Sequence, residues 1–167
     1  MARKPREIER VRFDVDEPTH VVACMERLAA AADGWINLAP RFTDDDDEDD
    51  RPTSIGFLTL VGGGSLGVTM STWIPEITNR RRRVQPSLGI AHVTGHRAIA
   101  QLVALAVPVP DTWRVEQDHP RRGLVLRLPS DESNEHVLVW ALRAVGALSA
   151  PRPIRDWRAD VYLPTRQ

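Results

Sequence analysis

The chain has 167 residues and a mass of 18.7 kDa, with 42% hydrophobic and 27% charged residues and a formal net charge of −1. That is the size of one domain with apolar content enough for its own core, which sets aside global disorder and any need for disulfide or metal staples. A mean hydropathy of −0.31 and the lack of a run of about 18 apolar residues exclude a membrane-spanning helix.

The charge is uneven. Asp44 to Asp50 is an unbroken acidic run worth −7, so the rest of the chain carries +6. Lys4 is the only lysine, which makes 21 of the 22 basic residues arginine. The skew fits GC-rich codons of a bacterial genome, and it means that any anion site here would be an arginine site. Met1 to Arg12 has no apolar stretch behind its charges, so no secretory signal is expected. Cys24, the single cysteine, lies among apolar neighbours as a buried thiol. A cytoplasmic, reducing environment is the expectation.

Val11, Phe13 and Val15 alternate with polar residues, the period of a half-buried strand. Glu17-Pro18-Thr19 opens a helix carrying Val21, Met25, Leu28 and Ala32, and Asp33-Gly34 closes it. Trp35, Ile36 and Leu38 suggest a short extended piece. Residues 43–53, with the acidic run and Pro52, read as a mobile loop because like charges repel and hydrate strongly. Residues 55–61 and 66–74 are strand-like around the glycines at 62, 63 and 64.

Pro75 stops that strand, and residues 76–86 read as a polar connection. Leu88 to Val93 is a further strand, entering a helix near Thr94 with Ile99, Leu102, Val103 and Ala106 on its stripe. Residues 113–117 and 124–128 form a hairpin about a turn at 118–123. A last helix starts near Asp131-Glu132, and a terminal strand covers 159–163. Each helix is followed by an acid and a tryptophan: Trp35, Trp113 and Trp157. Such rings seal a helix end against a sheet. These elements predict an α+β fold: one domain over 1–167, a mostly antiparallel sheet, and about three helices on one face.

No constellation is a complete catalytic motif. Gly62-x-Gly64-x-x-Gly67 matches a dinucleotide-binding string, but a β-branched strand follows where the chemistry needs a helix. It reads as a hairpin turn. The acidic run lacks the glycine and glutamate that an EF-hand places at fixed positions.

His92-Val93-Thr94-Gly95-His96-Arg97 has the spacing of two metal-binding histidines, but Val93 stands where a glutamate base belongs and Gly95 weakens helix. As an H-x-T unit it has no second copy in the chain. If Thr94 opens a helix, the amides behind it attract an anion, with Arg97 in the first turn. His92 also shares strand parity with Leu88 and Ile90, which fits a hydrogen-bonded core histidine.

Arg80, Arg81, Arg82 and Arg83 could neutralise phosphates, although a pI near 6.5 disfavours nucleic acid as a partner. The acidic run could instead pair with them. His119, Arg121 and Arg122 sit on a hairpin tip, and Trp73 lies on strand parity with Thr69 and Ser71. Those four suggest a partner surface, provided no helix covers Trp73.

The reading that follows is a non-catalytic binding or adaptor protein acting through a protein partner or small anion, with no cofactor and no metal set. One alternative is a phosphate-directed enzyme using His92 and His96 with arginine clamps. Another is a weak nucleic-acid binder using Arg80 to Arg83.

Overall fold

The computed structural model describes residues 8–42, 69–79, 82–92, 94–149 and 153–163. The acidic run, the glycine-rich turn, Arg80 and Arg81 lie outside them.

The strands are β1 (Ile8–Phe13), β2 (Trp35–Phe42), β3 (Met70–Ile74), β4 (Ile77–Asn79), β5 (Arg82–Val84), β6 (Ser87–Ala91), β7 (Arg114–His119), β8 (Gly123–Arg127) and β9 (Ile154–Tyr162). The helices are α1 (Thr19–Ala31), α2 (Ala98–Ala104) and α3 (Asn134–Leu148). Seven strands form one sheet in the order β1-β9-β2-β3-β6-β8-β7, and every neighbouring pair is antiparallel. The α+β expectation therefore holds, with three helices among the described residues and a mostly antiparallel sheet. No helix among the described residues is long and apolar enough to cross a membrane.

Alternation decides the layering. Ile36 and Leu38 of β2, Leu88 and Ile90 of β6, Leu124 and Leu126 of β8, and Ala159 and Val161 of β9 are each at most 2% exposed, and all belong to one core with the helices. From α3 that core takes Val137, Leu138, Ala141, Val145 and Leu148, the stripe expected from sequence, and Trp140 besides. Helix α3 begins at Asn134 rather than Asp131, because Ser133 is its cap: the Ser133 hydroxyl accepts the His136 amide.

Several boundaries differ from expectation for identifiable reasons. Strand β2 runs eight residues and β9 nine, both longer than expected, because β9 inserts between β1 and β2 and each pairs along its length. Gly34 turns the chain from α1 into β2 at φ +89°, where a Cβ would lie 2.5 Å from the Tyr162 carbonyl oxygen. The connection at 76–86 is not simply a polar loop but holds the hairpin β4–β5, with Thr78 opposite Arg83. Helix α2 starts at Ala98, not Thr94, since Gly95 takes φ +71° and residues 94–96 bend. Its stripe is narrower than expected: Ala98 and Leu102 are buried, whereas Val103 is 58% exposed.

Trp113 packs edge-on against Trp140 of α3 at 5.1 Å and lies in the core. Trp157 is in the core. Trp35 does otherwise, stacking on Tyr162 at 4.5 Å.

Candidate functional site

His92 leaves the end of β6 pointing to the helix side, like Leu88 and Ile90, and is 7% exposed. Its Nδ1 lies 2.9 Å from the Thr94 hydroxyl, which also receives Gln101 Nε2 at 3.0 Å. Burial holds its pKa below the usual histidine value, against the opposing pull of the Asp118 carboxylate. His92 and Thr94 thus share one hydrogen bond through Nδ1, while Nε2 is buried without a partner among the described residues. That geometry matches a core histidine. His96 is exposed, and with residues 94–96 bent the two rings share no helical face. The spacing that suggested metal ligation or acid–base chemistry is therefore not realised as a helical pair.

The expected anion seat is occupied by the protein itself. The first amide of α2, Ala98 N–H, donates to Asp118 Oδ1 at 2.8 Å. A resident carboxylate thus satisfies the helix start and repels a second anion. It also does something the sequence did not reveal: it fastens the β7–β8 turn to the β6–α2 junction. The fastening is reinforced below, because Gly123 at φ +82° lets the turn pass so close that a Cβ would lie 2.3 Å from the Ile90 carbonyl oxygen.

The segment carrying Arg97 and the turn carrying Arg121 and Arg122, separate in sequence, are thereby joined. His119 Nδ1 accepts the amides of Arg121 and Arg122 at 3.1 and 3.2 Å, pinning the turn. Gln117 Nε2 donates to the Arg122 carbonyl at 3.0 Å. Arg97, Arg121, Arg122 and His96 are exposed at this end of the sheet.

The described part of the arginine tract is elsewhere. Arg82 and Arg83 lie on β5, before the Ser87 end of β6, whereas His92 follows its Ala91 end. Five strand residues separate the two by roughly 13 Å or more. The expected clamp of a single anion by both is therefore not formed by the described residues. Arg83 is also paired with Glu76, which accepts the Ser130 hydroxyl as well. At that same end a cleft of about 210 Å³ is lined by Gln85, Thr112, Arg114, Arg127, Leu128 and Pro129. Its cations are spent: Arg127 holds both Glu116 oxygens at 3.1 and 2.7 Å, and Arg114 takes Glu116 Oε1 at 2.9 Å.

Trp73 is a correction. It is 2% exposed, lies opposite Ile36 and Leu88 in register, and belongs to the core under the helices. A helix layer covers that parity, so Trp73 offers no partner surface.

Sequence reasoning missed a polar network on the sheet face opposite α1, α2 and α3. Asn37, Thr72 and Asp160 are each 1% exposed. Thr72 Oγ1 donates to Asn37 Oδ1 at 2.8 Å, and Asn37 also bonds the Tyr162 hydroxyl. Asp160 accepts Arg10 Nε at 3.0 Å and pairs with Arg158 at 3.4 Å, while Arg41 holds both Asp156 oxygens at 3.1 and 2.9 Å. Burial raises the Tyr162 pKa, and the nearby Asp160 charge adds to that. Groups so buried must be bonded to one another. Together they cross-link β1, β2, β3 and β9. Strict alternation in β2 and β9 was the available signal, since Asn37, Arg158 and Asp160 interleave with apolar residues.

The other unforeseen grouping is Glu9, His20 and Cys24, whose donor atoms all lie within 4.8 Å of one another. Comparison with protein-family models, curated proteins and solved structures finds no match for this chain.

Proposed function

We propose that the chain is a non-catalytic binding protein that engages an acidic protein partner through the end of the sheet bearing Arg97, Arg121 and Arg122. One observation carries this reading. Among the described residues these three make no ion pair, whereas Arg10, Arg27, Arg41, Arg83, Arg114, Arg127 and Arg158 each face a carboxylate. Among the described residues Arg82 and Arg143 are also without an ion pair, but they stand on β5 and α3.

Unpaired guanidinium groups keep their charge for a partner, and arginine is enriched among residues that dominate interfaces. The Asp118–Ala98 bond supports the reading further by holding the two arginine-bearing segments together. A small anion is the weaker choice because Asp118 already takes the α2 amide. An enzyme working through His92 and His96 is weaker too, given one buried and one exposed ring. Nucleic acid is weaker because Arg83 is committed to Glu76.

The test is binding of the full chain to immobilised polyglutamate across a salt series. Replacing Arg97, Arg121 and Arg122 together by serine should weaken binding about tenfold, at roughly 0.5 kcal/mol per exposed pair. Replacing Arg82 and Arg83 by serine should leave it unchanged. The opposite pattern, or binding unaffected by either, would overturn the reading. A single-stranded oligonucleotide bound in place of polyglutamate would favour the nucleic-acid alternative.

A further inference from the structure

The opposite edge of the sheet carries a separate cluster. His20 and Cys24 are four residues apart on α1, so they project from one helical face a turn apart. Glu9 reaches them from β1, the neighbouring edge strand. Its Oε1 lies 3.3 Å from His20 Nε2, and the three donor atoms are all within 4.8 Å of each other. Two ligands on one helical turn and a third from an adjacent element is an economical way to build a metal site. The donor set also selects the metal: one sulfur, one imidazole nitrogen and one carboxylate oxygen suit zinc and its neighbours, not magnesium or calcium.

A second observation concerns charge. Arg27 Nη2 donates to Glu9 Oε2 at 2.6 Å and lies 3.7 Å from Cys24 Sγ. A guanidinium therefore lies against two of the three donors, supplying the positive charge that a metal ion would bring. Its side chain is 49% exposed and can swing outward into water without opening the core. His20, at 64% exposed, faces the same solvent, which gives an ion a route in.

We infer that Glu9, His20 and Cys24 form a three-ligand site for a zinc-type divalent cation, with Arg27 as the cation that the metal displaces. Binding exchanges the Cys24 thiol proton for a metal–sulfur bond and releases Glu9 from Arg27. Three protein ligands leave a fourth tetrahedral position for water or a partner's side chain. The site is independent of the arginine surface, which lies at the end of the sheet near its other edge strand, β7.

Cobalt(II) reports on this directly, because a thiolate ligand adds a near-ultraviolet charge-transfer band and tetrahedral geometry strengthens the visible bands. The full chain titrated with Co²⁺ should develop both with one equivalent of metal, and Zn²⁺ should abolish them. His20→Ala lies on an exposed position and should fold normally. It should weaken Co²⁺ binding by more than the roughly 10–100-fold typical of losing an outer-shell partner. Glu9→Gln should act in the same direction, and Arg27→Met should tighten binding by removing the competitor. No thiolate band at about millimolar Co²⁺ in either the wild type or Arg27→Met would overturn the site. So would a band indifferent to both His20→Ala and Glu9→Gln, which would mean that the thiol binds alone.

Discussion

Asp118 and Ala98, twenty residues apart, meet through a 2.8 Å bond from the Ala98 amide to Asp118 Oδ1. That one contact starts α2, fills the place of an anion, and joins the segment carrying Arg97 to the turn carrying Arg121 and Arg122. Asp118→Ala should therefore lower stability by about 1–2 kcal/mol, the usual loss for a helix cap. Asp118→Asn, which keeps an acceptor, should lose less. Urea unfolding gives the stability, and hydrogen exchange at Ala98 to Leu102 should accelerate in the alanine variant first. Unchanged exchange there would show that the bond does not hold α2.

His92 sets a pH dependence with a definite sign. Its folded pKa is lowered by burial from the ordinary value of 6.5. As pH falls through the unfolded value, the unfolded chain takes up a proton that the folded chain refuses, so stability drops. The drop ends once the folded group also titrates. Urea midpoints should fall between about pH 7 and 5, and His92→Gln should flatten that slope. Glu9 and Glu116 act lower down: Arg27 and Arg127 hold their carboxyls below 4.5, so their contribution is lost as pH falls beneath that value. A His92→Gln protein with the wild-type slope from pH 7 to 5 would show the ring to be solvated.

The sheet face opposite α1, α2 and α3 gives a third expectation. Asn37→Ala leaves the Thr72 hydroxyl and the Tyr162 hydroxyl each short of a partner at a site 1% exposed. The loss should be roughly 1–3 kcal/mol, read from denaturant midpoints. Trp73→Ala offers a comparison: a core deletion should lose about 3–5 kcal/mol while leaving polyglutamate binding unchanged in the folded fraction. A Trp73→Ala protein that stays as stable but stops binding would restore Trp73 to the partner surface.

The fold was legible wherever local pattern and tertiary demand agreed. The α3 stripe from Val137 to Leu148 and the hairpin 114–127 both follow from spacing alone. Placement failed where a long-range contact decides. Thr94 looks like a helix start, yet Gly95 at φ +71° and the Asp118 carboxylate move the start to Ala98. Trp73 sits among Thr69 and Ser71 as an outward residue would, but those hydroxyls are themselves buried: Thr69 Oγ1 donates to the Leu148 carbonyl. Residues of the candidate site were visible singly; their association was not, because Arg97 and Arg121 are joined only by chain crossing. The same limit hid Glu9, although the His20–Cys24 spacing was in plain view.

The central claim, that Arg97, Arg121 and Arg122 form one surface for an acidic partner, is tested most directly by amide NMR. The full chain, ¹⁵N-labelled, is titrated with polyglutamate, and shift changes are mapped along the sequence. The account expects the largest changes at residues 95–97 and 119–123 together, with one shared binding curve, and little movement at 82–85. Changes confined to 82–85, separate curves for the two segments, or no movement at about millimolar peptide would contradict it.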